Sequence, residues 1–115
     1  MSTIKTHTFQ EDFITESGEI ITNPILAYQT WGILNNTQDN VIIISHALTG
    51  NTNAKEWFSG LFQDRGIIDL KKHFVICINH PGSCYGSIGP TSINRNTGEI
   101  YKANFPNLTI RDIVK

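Results

Sequence analysis

The chain has 115 residues, a mass of 12.9 kDa and a formal charge of -1, which is one small domain by length or part of a larger one. Nine Lys and Arg against ten Asp and Glu leave neither the basic footprint that nucleic acid demands nor an acidic tail. With 39% hydrophobic and 17% charged residues the composition excludes a disordered chain, and eighteen Ile and twelve Thr against four Ala favour strands and loops over a helical bundle.

In chain order, residues 7–10 and 13–15 read as short strands around Glu11-Asp12. Glu16-Ser17-Gly18-Glu19 reads as a turn, because Gly supplies positive φ at no steric cost. Ile20–Thr22 and Pro24–Trp31 read as strands, with Pro24 admissible at a strand start. Gly32 to Asn40 is a polar loop. Val41–Ser45 (VIIIS) is β-branched without polar alternation, which fits a strand buried on both faces of a parallel sheet.

His46 to Asn53 is then a loop leaving the end of that strand. Asn53 reads as a helix N-cap, with Glu56 completing a capping box. Trp57, Phe58, Leu61 and Phe62 fall on one apolar face of a two- to three-turn helix that Gly66 can end. Phe74–Asn79 (FVICIN) is a second strand of the buried type, so residues 41–79 form a βαβ unit. From His80 to Asn107 no periodic apolar pattern appears, and a loop of that length is usually functional or disordered. Thr109-Ile110-Arg111-Asp112 reads as a capping box opening a helix whose apolar side is Ile110, Ile113 and Val114.

That last helix has run about one and a half turns at Lys115, and strands of the buried type need flanking strands and helices on both faces. The expectation is therefore that residues 1–115 are a partial domain, the first part of a larger α/β fold. A small α+β interaction domain without catalysis is the alternative.

Two strings are candidates for chemistry. HALTG, residues 46–50, follows a buried strand at its carboxyl end, where ligands bind in doubly wound sheets. A backbone N–H there can serve an oxyanion hole. On the bland reading His46 only caps a strand end by hydrogen bonding and Gly50 is a turn residue. Gly82-Ser83-Cys84-Tyr85-Gly86 formally matches a nucleophile elbow with Cys in place of Ser. An elbow must turn straight into a helix, yet Ser87 to Gly98 is rich in Gly, Pro and Asn, so Cys84 is read as unreactive. A hydrolase using Cys84 stays as a rival. Cys77 reads as a core thiol, and two Cys are too few for a disulfide framework. His7, His46, His73 and His80 lack paired ligand spacing, so no metal is expected. Trp31, Trp57 and Phe58 are assigned to the core, and Arg65, Lys71, Lys72 and Lys102 to solvent. No apolar run approaches a membrane span, and the polar start MSTIKTHTFQEDF has no signal-peptide core, so a cytoplasmic setting is expected.

Taken together, AYQTWGILN at 27–35, DNVIIISHALTG at 39–50, FVICIN at 74–79, GSCYGSIGPTSIN at 82–94, TGEIYKANFP at 97–106 and TIRDIV at 109–114 resemble the homoserine O-acetyltransferase family, over its N-terminal third. The resemblance implies an α/β-hydrolase fold, represented here by its first strands, its first helix and the start of the second. It implies acyl transfer from acetyl-CoA, as co-substrate, to the hydroxyl of L-homoserine in methionine biosynthesis, with no other cofactor. The family uses a Ser-Asp-His triad in two half-reactions and is often homodimeric. Carried over by position, Leu48 gives one backbone N–H to the oxyanion hole, and the domain stops before the nucleophile elbow, so the triad is absent and the chain alone is inactive. Other acyltransferases or hydrolases of the same fold are the nearest alternatives. The chain departs from the family pattern at His80-Pro81, Ile88 and Arg95. Pro81 fixes φ and removes a donor, so that loop is expected to sit differently.

Overall fold

The computed structural model describes residues 2–115. The chain divides into two compact units, one built from the residues up to Lys5 with Tyr28–Ile78, the other from Thr6–Ala27 with Asn79–Lys115. The strands are β1 (Lys5–Thr8), β2 (Phe13–Ile14), β3 (Ile20–Ile21), β4 (Ile25–Trp31), β5 (Val41–Ile44) and β6 (Phe74–Ile78). The helices are α1 (Ala54–Trp57) and α2 (Ile110–Val114). Strand order in the larger sheet is β1-β4-β6-β5, and β2 pairs with β3 in a separate hairpin.

In the first unit β5 and β6 run parallel, with Ile42 opposite Val75 and Ile44 opposite Cys77, while β4 lies antiparallel on the other side of β6. The parallel pair with its crossover is the βαβ unit that the sequence predicts. Trp31, Ala54, Ile68, Val75 and Cys77 form the core, with Ile42, Ile44, Phe62 and Leu70 packed on it. Trp31 meets Phe62 edge to face at 5.9 Å between ring centroids, a geometry aromatic pairs prefer. Gly32 ends β4 at φ +79°, and a Cβ there would lie 2.1 Å from the His73 carbonyl oxygen, so only Gly fits this close approach.

Two expectations for this unit are corrected. β5 is not buried on both faces: Ile42 and Ile44 pack inward, but Ile43 is 70% exposed and Val41 is also exposed. The strand is at the edge of the sheet with β6 as its one neighbour among the described residues, so only its inward face is covered. The helix after Asn53 is a single α-turn, followed by a 3-10 turn at Ser59–Leu61. Asn53 makes no side-chain cap; its amide donates instead to the Glu56 carboxylate at 2.7 Å. Ser59 and Gly60 are poor helix formers, and the chain leaves α geometry at Phe58. Trp57 is consequently 54% exposed, Phe58 is exposed as well, and only Phe62 of that apolar set reaches the core.

In the second unit, the β2–β3 hairpin pairs Phe13 with Ile21 and Ile14 with Ile20. Its turn closes through Thr15 and Glu19, with Gly18 at φ +86°. Ile21, Ile88 and Tyr101 form the core, supported by Phe13, Phe105 and Leu108. The aperiodic stretch 80–107 is ordered by its own backbone hydrogen bonds: Gly82 N–H to Ile88 O, Asn94 N–H to Glu99 O and Tyr101 N–H to Ser92 O, with an isolated bridge between Ile93 and Ile100. α2 opens with the predicted capping box. The Thr109 hydroxyl accepts from Asp112 N–H at 3.2 Å, and the Asp112 carboxylate accepts from Thr109 N–H at 3.0 Å. No helix among the described residues is long and apolar enough to cross a membrane.

Candidate active-site turn

The chain leaves the carboxyl end of β5 and turns at once. Gly50 N–H donates to Ala47 O at 2.8 Å, which makes residues 47–50 a tight turn with Leu48 and Thr49 at its tip. In such a turn only the first carbonyl and the fourth N–H close the ring. The Leu48 N–H is therefore left over, and it donates to no acceptor among the described residues. Leu48 is wholly exposed.

Two neighbours hold the turn. His46 is buried, and its Nδ1 lies 2.8 Å from Ala47 O. A carbonyl only accepts, so that contact requires the proton on Nδ1. Ala47 O thus accepts from both the imidazole and Gly50. Gly50 is buried too, and a Cβ there would come within 3.2 Å of Ala47 O and of the His46 Cβ. His46 and Gly50 thus both brace the turn through Ala47 O, and the Leu48 N–H at its tip is left free. Preorganised N–H groups of this kind stabilise developing negative charge because they need no reorganisation as the charge appears.

The second string behaves differently. Cys84 is exposed and Cys77 is buried, both as free thiols. Burial pushes the Cys77 thiol up to about 11, which makes it a core group and a poor nucleophile. No α-helix follows Cys84 until Ile110, so this loop is not an elbow. Its shape comes from Ser87, whose hydroxyl accepts from Ala27 N–H at 2.9 Å and donates to Asn79 O at 2.6 Å. Of the residues that depart from the family pattern, Ile88 is in the second core, Arg95 is exposed, and Pro81 lines an apolar cavity of about 460 Å³. That cavity, walled by Phe9, Phe13, Leu26, Leu108 and Ile113 among others, has no Ser, Cys or His in its lining. Among the described residues no three His, Cys, Asp or Glu side chains gather into a metal-binding group.

No protein-family model matches the chain. Homoserine O-acetyltransferase of Chlorobium luteolum is 48% identical over 110 residues, covering 96% of this chain and 31% of that enzyme. The enzyme named the same in Trichormus variabilis is 48% identical over 103 residues, 90% of this chain and 29% of its own length. Among solved structures, homoserine O-acetyltransferase from Bacillus anthracis superposes with a TM-score of 0.81 at 27% identity, over 98% of this chain and 34% of that one. In sequence and fold, the chain is similar to the homoserine O-acetyltransferases. It spans about 30% of the length of the curated relatives it matches. Esterase E22 superposes with a TM-score of 0.85 at 28% identity, over 99% of this chain and 35% of that one. The fold is thus part of an α/β-hydrolase fold, shared by acetyltransferases and esterases. The turn 46–50 lies within the stretch that matches the Chlorobium acetyltransferase, since only a few residues of this chain fall outside that match.

Proposed function

We propose that these 115 residues supply the oxyanion-binding turn of an O-acyltransferase that moves the acetyl group of acetyl-CoA to the hydroxyl of L-homoserine, in methionine biosynthesis. The observation that carries the reading is the free Leu48 N–H on a braced turn directly after a parallel strand. Support for the substrate pair is the 48% identity to enzymes named for that reaction.

The chemistry explains what such a donor is for. A serine hydroxyl attacks the thioester carbonyl, its proton passes to a histidine, and the carbonyl electrons collect on oxygen. As that adduct collapses, the histidine gives the proton to the leaving sulfur, CoA departs as its thiol and an acyl-enzyme remains. The homoserine hydroxyl then attacks the acyl-enzyme while the histidine takes its proton, an oxyanion forms a second time, and its collapse releases the ester as the histidine returns the proton to the serine oxygen. The Leu48 N–H meets negative charge in both half-reactions, and one such donor is worth about 10²- to 10³-fold in kcat. On this reading the serine, aspartate and histidine come from outside residues 1–115, so the chain alone has no activity. The substrates are small molecules, acetyl-CoA acts as co-substrate, and the setting is the cytoplasm.

The test is a chimera in which this chain replaces the matching region of the Chlorobium luteolum enzyme. Homoserine-dependent release of CoA from acetyl-CoA is expected. Leu48→Pro removes the N–H at a turn position that accepts Pro, and it should lower kcat about 10²-fold or more with KM little changed. A folded chimera without activity, or a Leu48→Pro variant with normal kcat, overturns the reading.

A further inference from the structure

Just beyond the turn, Thr52 is completely buried, and its hydroxyl donates to the Gln29 side-chain oxygen at 2.7 Å. Gln29 is itself buried in β4, and its amide nitrogen donates to Ser2 O at 3.1 Å. Across the sheet Gln29 is opposite Cys77 on β6, and Cys77 is opposite Ile44 on β5. One row of the sheet therefore joins Gln29 to the last residue of β5, from which the turn departs. The segment between Ile44 and Thr52 is fixed at one end by the β5–β6 ladder and at the other by the Gln29 amide.

We infer that Gln29 and Thr52 are positioning residues that set where the 47–50 turn holds its Leu48 N–H. The catalytic half of this inference rests on the function proposed above; the anchoring half does not. The physical reason lies in what the pair costs. Gln29 shares its face with Trp31, Val75 and Cys77, an apolar surface on which leucine would pack without needing any partner. A buried amide there is tolerated only because its polar atoms are satisfied. What the polar pair supplies, and a Leu-Val pair of similar volume does not, is direction. A hydrogen bond fixes distance and angle, whereas apolar contact leaves the backbone free to slide. Leu48 at the tip of the turn is fully exposed and gives it no apolar anchor.

Three variants separate positioning from ordinary structural support. Thr52→Val removes the donor and strands the Gln29 oxygen. Thr52→Ser keeps the hydroxyl. Gln29→Leu combined with Thr52→Val removes both polar groups and refills the space. In the 115-residue chain, amide exchange at Gly50 reports the turn, while exchange at Val75 and Cys77 reports the sheet. Thr52→Val should speed Gly50 exchange about tenfold relative to the sheet amides, the loss expected for one hydrogen bond. Thr52→Ser should restore it. The double variant should recover melting temperature but not Gly50 protection, and in the chimera it should keep kcat about tenfold low at nearly normal KM. The inference is overturned if the double variant recovers Gly50 protection, if all amides of the unit speed up together in Thr52→Val, or if Gly50 is unprotected in the unsubstituted chain. Loss of Gly50 protection with unchanged kcat would instead keep the anchor and count against the Leu48 donor, as a normal Leu48→Pro variant would.

Discussion

The carboxylate of Asp112 accepts the backbone N–H of Glu16, 96 positions earlier in the chain, at 2.9 Å. The same side chain closes the capping box of α2 with Thr109, and the Lys115 ammonium stands 3.6 Å away. Thr109 also donates its hydroxyl to the Glu16 carboxylate. One buried acid thus ties the hairpin turn to the start of α2 within the second unit.

The first prediction concerns pH. Hydrogen bonds from the Thr109 and Glu16 N–H groups outweigh burial and hold the Asp112 carboxyl below its usual range. A depressed folded-state value means that the stabilisation is fully present above the unfolded carboxylate value of about 3.9 and is lost as pH falls through the lower folded value. Asp112→Asn should melt lower than the parent at neutral pH. The gap should narrow as pH is taken below about 4, where the parent loses its own charge. Melting curves over that range check it, and a pH-independent gap would contradict the assignment.

A second prediction uses two glycines with nearly the same φ but different surroundings. Gly32 has φ +79° with the His73 carbonyl where a Cβ would go, whereas Gly18 has φ +86° with nothing within 4 Å. Gly18→Ala should cost about 1 kcal/mol, the penalty of the left-handed conformation alone. Gly32→Ala adds a backbone clash and should cost about 3 kcal/mol or more. Denaturant unfolding of the two variants should show that ordering, and equal losses would refute the close approach at His73.

The third prediction follows from the bare side of β5. Ile43 is exposed at the sheet edge, and such an edge invites pairing with another chain. Ile43→Lys should reduce self-association at high concentration while changing folding free energy by no more than about 0.5 kcal/mol. Sedimentation and denaturant unfolding read the two quantities separately. Undiminished association in the variant would show that the edge is not what drives it.

How much of this was legible beforehand differs by element. The β-branched run 41–44 and FVICI at 74–78 gave adjacent parallel strands, Gly18 marked its turn, and Thr109 with Asp112 formed the reciprocal cap. HALTG was readable as the start of a loop after a strand; that residues 47–50 close into a turn with the Leu48 N–H free came from the structure. The resemblance to homoserine O-acetyltransferases was also readable in the sequence. The helix after Asn53 was not: an apolar spacing of helical period gave one α-turn and a 3-10 turn, with Trp57 outside the core. Gln29 did leave a trace, because alternation along β4 places it inward between Ala27 and Trp31, a polar residue on a buried face.

What the sequence determined by itself was local: period two in the strands, the residues that cap and turn, and the family likeness that they carry. Only the tertiary structure decided that Gln29 meets Thr52 and that Asp112 meets Glu16. Partners 23 and 96 positions apart leave no periodic signal. Their hydrogen bonds become worthwhile only once packing has removed water from around them, since each group is as well satisfied by water in the open chain.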